Sequence, residues 1–131
     1  MKNRELVEEW LKRARSNLER AKAGKASKEI LFEDLCFDCQ QAVEKSLKAL
    51  LIHLNKVFLR THSIGRIVEL IEETGASIPE EIKESVVLTE YAVSTRYPGD
   101  YEPVNEEEYK AALEMAEKVF CWVEERLKEG G

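Results

Sequence analysis

Acid-base options near neutral pH are few, with two histidines, His53 and His62, and the thiols are three, Cys36, Cys39 and Cys121. Cys36-Phe37-Asp38-Cys39 has the C-x-x-C spacing of a redox pair or half a metal site. A redox pair of this kind opens a helix after a strand, and zinc needs a second ligand pair; the sequence offers neither setting. Both cysteines fall on the apolar side of a helix and read as core residues, so no metal and no other cofactor is expected. His53 adjoins a strip of small residues and reads as a packed structural side chain. His62 stands one residue before a helix cap, where it either hydrogen-bonds the turn or lines a cleft. Neither a glycine-rich phosphate cradle nor a Ser/His/Asp arrangement is visible. The remaining chemistry-bearing stretch is T-R-Y-P-G-D-Y, residues 95–101, in which Arg96 closes a helix ahead of Tyr97, Asp100 and Tyr101. A cation there satisfies the helix's negative end or meets a phosphate, and the two tyrosines cover the end of a bundle or stack on a base.

The elements that must position these groups follow from apolar periodicity. Ile30 to Lys56, which no Pro or Gly interrupts, predicts a helix of about seven turns. At about 100° per residue, Phe32, Cys36, Cys39, Val43, Leu47, Leu50, Leu54 and Val57 share one face, the expected core. Beside it lie Ala42, Ser46 and Ala49, flanked by Leu35 and His53, a strip that lets another helix approach closely. Opposite lie Asp34, Asp38, Gln41, Lys45 and Lys48, expected to be solvated, with Phe37 and Ile52 among them. Apolar side chains in that company mark Phe37, Gln41 and Ile52 as a candidate interface, unless Phe37 packs under a neighbouring helix of the same chain.

A first helix is predicted from Asn3 to Ala23, with Val7, Trp10, Leu11, Ala14, Leu18 and Ala21 inward and Gly24 as its stop. Ser27 is a candidate cap for the second helix, and the short link makes the two antiparallel. Ser63 caps a short third helix with Ile64, Ile67, Val68 and Ile71 inward, ended by Gly75. Pro79, Glu80 and Glu81 open a fourth, with Ile82, Val86, Val87, Leu88, Ala92 and Val93 on its apolar side, which must stop near Arg96 because Pro98 follows. Asn105, with Glu108 three residues on, resembles a capping box for a last helix from Glu106 to about Leu127, whose inward side is Tyr109, Ala112, Leu113, Ala116, Phe120, Val123 and Leu127. The expectation is one all-α domain over residues 1–131, an up-and-down helical bundle of three long helices, a shorter fourth and one minor helix.

Composition narrows the function classes. A net charge of −6, with 44% apolar and 35% charged residues, fits a globular protein and disfavours broad non-specific nucleic-acid binding. Residues 1–28 carry nine Lys/Arg against four Glu, so the basic side of the first helix faces solvent, an acidic surface or phosphates. The uncharged apolar runs, Ala49 to Ile52 among them, are too short to cross a bilayer, and Glu5 interrupts any signal-peptide core, which together indicate a cytoplasmic protein with no membrane partner.

Three motifs, C-F-D-C-Q-Q-A-V-E-K-S-L-K-A-L-L at the second helix, T-H-S-I at the third and T-R-Y-P-G-D-Y after the fourth, occur in an order and spacing that resemble the HEPN domain, named for higher eukaryotes and prokaryotes nucleotide-binding. The likeness covers nearly the whole chain. It implies a dimerising helical bundle that, in many prokaryotic members, partners a minimal nucleotidyltransferase as a toxin–antitoxin pair. Ribonuclease members pair an Arg with a His four to six residues later; the resemblance makes Arg96 the phosphate ligand but puts Tyr101 where the histidine would be. A phenol is a poor base at neutral pH, and Asp100 would need a raised pKa. The resulting expectation is a binding module for a nucleotide, a nucleotidyltransferase partner or both, with Arg96, Lys45, His62, Tyr97 and Tyr101 around one cleft. The alternatives are a metal-independent ribonuclease in which Asp100, Tyr101 or His62 covers for the missing histidine, and a purely structural interaction protein.

Overall fold

Apolar residues recurring every three or four positions require helices that bury one side each, and three long ones do so around a shared core. In the computed structural model, which describes residues 2–56, 60–92 and 102–129, α1 is Lys2–Ala23, α2 is Phe32–His53 and α5 is Glu106–Glu129. Between α2 and α5 come α3, Ile64–Glu73, and α4, Glu80–Lys83, which continues as a 3-10 segment, Glu84–Ala92. Among the described residues there is no strand, and none of the helices is long and apolar enough to cross a membrane.

The helices start and stop where local chemistry says they should. Gly24 takes a φ of +70° beyond α1, a left-handed conformation open to glycine because it has no Cβ to clash. Ser63 accepts from the Arg66 N–H at 3.2 Å, and Asn105 from the Glu108 N–H at 2.8 Å, each satisfying an orphan donor of a first turn. Glu108 does not complete the reciprocal box, because its carboxylate takes the Tyr91 hydroxyl instead. Ser27 does not cap α2 either; its Oγ accepts from the Glu29 N–H inside the linker, and the residue at the α2 N-cap is Leu31, with no side-chain bond. At the other end α2 stops three residues before Lys56, since Asn55 turns left-handed with φ +61° and its side chain accepts from Asn3 Nδ2 at 2.7 Å.

The α2 core face is as its spacing indicates: Cys36, Cys39, Val43 and Leu47 are fully buried, while Phe32 and Leu54 pack at the ends of the cluster and Val57 lies outside the described residues. The strip Ala42, Ser46 and Ala49 is also fully buried, and Val7 of α1 meets Ala49 there. Ile52 belongs to this α1 contact, only 7% exposed against Val7 and Ala49, so it is an internal packing residue and not an open interface. Helix α5 runs antiparallel to α1: Tyr109 near its start donates its hydroxyl to the Ala21 carbonyl, and Glu124 near its end pairs with Arg15 at 3.0 Å.

The fourth element departs from expectation. Only one turn is α-helical; the next nine residues wind as a 3-10 helix, with three residues per turn. That period aligns Ile82, Ser85, Leu88 and Tyr91, and the first three are buried while Tyr91 is partly covered. Val86 and Val87, expected on the apolar side, are exposed, Val87 by 60%. Ser85 Oγ bonds the Ile82 carbonyl at 2.7 Å, and Thr89 Oγ1 accepts from the Ile64 N–H at 3.2 Å, tying the segment to the start of α3. Val93 lies outside the described residues.

Candidate functional site

Every fourth residue of α2 from Gln40 to Lys48 is polar, and an α-helix stacks such residues on one edge. Gln40, Glu44 and Lys48 are all buried on that edge. Gln40 Nε2 donates to Glu44 Oε1 at 2.9 Å, and Lys48 Nζ donates to Glu44 Oε2 at 2.8 Å. The loop before α3 adds a third donor: His62 Nδ1 lies 3.1 Å from Glu44 Oε1 and 3.3 Å from Oε2. Gln40 also reaches the His62 carbonyl at 3.5 Å and accepts from Gln41 Nε2 at 2.7 Å. The Lys48 ammonium sits 5.4 Å from the centre of the Trp10 ring.

Burial alone would raise the Glu44 carboxyl, but hydrogen bonds from Lys48, Gln40 and His62, with the charge of Lys48, hold it below the ordinary glutamate value. The carboxylate is thus ionised at neutral pH and acts only as an acceptor. While Glu44 is almost wholly covered, the His62 side chain is 75% exposed. A buried anion grips one edge of an imidazole whose other edge meets solvent.

Lys45, one residue along, turns the other way. Its Nζ donates to Asn17 Oδ1 of α1 at 2.8 Å, and partial burial lowers its pKa below that of a free lysine. Asn17 in turn donates to Asp38 Oδ1 at 3.0 Å, and Arg20 Nε lies 3.5 Å from Asp38 Oδ2. Asp38 and Lys48, expected in water, are therefore buried members of polar networks, and no buried side-chain nitrogen or oxygen among the described residues lacks a partner.

Of the residues singled out from sequence, His62 meets the polar edge of α2 at Glu44 and Gln41 bonds Gln40 beside it, whereas Lys45 turns to Asn17 of α1; Phe37, 42% exposed, stands one turn before Gln41. Arg96, Tyr97, Asp100 and Tyr101 lie outside the described residues. Cys36 and Cys39 are buried core thiols, Cys39 pushed up to about 12 by desolvation, and no group of three or more potential metal ligands occurs among the described residues. His53 is only partly covered and forms a wall of an open groove of about 600 Å³ floored by Val7, Leu11 and Leu127. Sequence reasoning passed over Gln40 and Glu44. The signal available was the Gln40, Glu44, Lys48 ladder at intervals of four, which a wheel drawn for apolar residues does not display.

The model of the HEPN domain family matches residues 7–126. Among solved structures, the crystal structure of TT1696 from Thermus thermophilus shares 32% identity, with a TM-score of 0.78 over 91% of this chain and 96% of that one. The crystal structure of ST0689, an archaeal HEPN homologue, shares 27% identity, with a TM-score of 0.74 over 92% of this chain and 97% of its own. No curated protein matches. A family match across almost the whole chain, joined to a bundle that superimposes on these relatives over nine-tenths of its length, makes this chain a member of the HEPN domain family.

Proposed function

We propose that this HEPN bundle is a nucleotide-binding module whose site is the polar edge of α2, with Arg96 toward phosphate, His62 at the rim, Tyr97 or Tyr101 against the base, and Lys45 on the adjoining face, where it bonds Asn17. The observation that carries the reading is the pinned imidazole. Burying Glu44 and Lys48 costs desolvation that apolar residues of similar size would avoid, so stability alone does not explain the pair. What the pair accomplishes is to orient an exposed histidine, and the family resemblance supplies a phosphate-binding arginine, Arg96, to act with it. Phe37 and Gln41, on the exposed part of the same helix, suit contact with a second copy or with a minimal nucleotidyltransferase in a toxin–antitoxin pair. Calorimetric titration of ATP into wild type and Arg96→Ala tests the binding: measurable affinity that falls at least tenfold in the variant supports it, and no binding, or binding undiminished by the substitution, removes it.

The same imidazole favours a second reading, a metal-independent ribonuclease in which His62 replaces the proton acceptor missing at Tyr101. Incubation with RNA in EDTA decides: fragments ending in cyclic phosphate that vanish in His62→Ala and Arg96→Ala establish it, and intact RNA excludes it.

A further inference from the structure

The groove walled by His53, the last residue of α2, is bordered by none of Gln40, Glu44 and Lys48. Its floor, Val7 and Leu11 of α1 with Leu127 of α5, is aliphatic carbon between two antiparallel helices. Its volume of about 600 Å³ falls within the range of small-molecule sites, about 300–1,000 Å³, which bundles often place between helices. A smaller hollow of about 220 Å³, lined in part by Leu50, Leu54 and Ala76, adjoins it across the imidazole. The rim carries Arg4, Glu8, Glu124 and Lys128, two charges of each sign, but they are not equally committed. Glu124 is held by Arg15 at 3.0 Å and Glu8 by Arg4 at 3.8 Å. The Lys128 ammonium has no ion pair, and the His53 ring no hydrogen bond, among the described residues. Each carboxylate thus has its guanidinium, and what remains for a ligand is one ammonium and one imidazole N–H, which a neutral ring carries in either tautomer.

We propose that this groove binds a small amphipathic carboxylate, its tail on Val7, Leu11 and Leu127 and its head toward Lys128 and His53. The proposal goes beyond the nucleotide-binding reading and uses none of its residues. An apolar floor beside a single uncommitted cation suits a ligand with an apolar tail and one negative charge. The same rim disfavours a doubly charged phosphate ester, which Glu8 and Glu124 would repel. The two ends of such a ligand contribute differently. Each methylene that the floor takes out of water tightens binding by up to about fourfold, whereas a solvent-exposed ion pair adds at most about fivefold in all. Tail length therefore sets the affinity, and Lys128 sets the preference for an anion.

The test titrates hexanoate, octanoate and decanoate, each below its micelle-forming concentration, into the full chain at neutral pH, with octan-1-ol and octylammonium as uncharged and cationic counterparts, and follows the backbone amides by proton–nitrogen NMR. Octanoate should shift amides around Val7, Leu11 and Leu127, bind about two- to fivefold more tightly than octan-1-ol, bind more tightly than octylammonium, and be surpassed by decanoate as it surpasses hexanoate. Lys128→Ala, a change at an exposed side chain, should bring octanoate down to octan-1-ol, Lys128→Arg should restore the difference, and Leu127→Ala should weaken every probe. Octylammonium bound as tightly as octanoate, affinity that ignores tail length, an anion preference that survives Lys128→Ala, affinity unchanged by Leu127→Ala, shifts confined to other parts of the bundle, or no binding of any carboxylate overturns the proposal. Nucleotide binding stands or falls separately, since no residue is shared.

Discussion

At the scale of the residue, Glu44 has the most to lose. Glu44→Gln would keep the volume but leave the Lys48 ammonium buried beside a neutral amide, and breaking a buried pair in this way costs about 3–5 kcal/mol. Urea unfolding measures the loss. The pH dependence has a definite sign. A carboxyl held below its ordinary value contributes stability that is fully present above the unfolded glutamate pKa of about 4.3 and is lost as pH falls through the lower, folded value. Wild type should therefore weaken on acidification below about pH 4.3, and Glu44→Gln should lack that part of the slope. A variant curve parallel to wild type through this range would show that Glu44 titrates normally.

At the scale of the element, the 3-10 segment sorts its residues by threes. Leu88→Ala, at a site 2% exposed, should cost about 2–5 kcal/mol, whereas Val87→Ala should fall within about 0.5 kcal/mol of wild type; an α-helical reading would have placed both on the apolar side. Chemical denaturation of the two variants separates the windings. Four of the caps and stops were legible because each depends on one residue type: a Ser63 hydroxyl, an Asn105 amide, a glycine at position 24 or 75 free to take positive φ; the Ser27 cap was not, since that hydroxyl bonds within its own linker. The core face of α2 was legible because its apolar spacing is regular along the whole helix. The 3-10 winding was not, since Ile82 and Leu88 fit both periods and the deciding contacts, Thr89 to Ile64 and Tyr91 to Glu108, come from elements distant in sequence. The same limit hid half the site: Lys45 and His62 stood out as polar residues near a candidate cleft, but the carboxylate that joins His62 to α2 lies eighteen residues away in sequence.

At the scale of the molecule, the charge asymmetry of the sequence is partly resolved within the chain. The basic first helix sends Arg15 to Glu124 of α5 and Arg20 to Asp38 of α2, and pairs Arg13 with its own Glu9. The Arg13 and Arg15 bridges, exposed, contribute little to stability individually, but with Arg20 on the buried Asp38 they occupy cations that would otherwise face a polyanion. The exposed edge of α2 is then the surface to test for assembly. Phe37→Glu should reduce a dimer to monomer mass by light scattering; an unchanged mass removes Phe37 from the interface.

The antiparallel pairing of the first and last helices bears on how the chain is made. Tyr109 reaches Ala21 and Glu124 reaches Arg15 across 88 and 109 residues of sequence. A hairpin of the first two helices can form as soon as it leaves the ribosome, yet the helix that seals it arrives some 76 residues later, counting from His53 to Glu129. At about 5–20 residues per second that is a delay of roughly 4–15 s, during which a stripe of cysteine, valine and leucine stands uncovered in a crowded, translating cell. The newborn protein, more than the finished one, is where a chaperone would find something to hold.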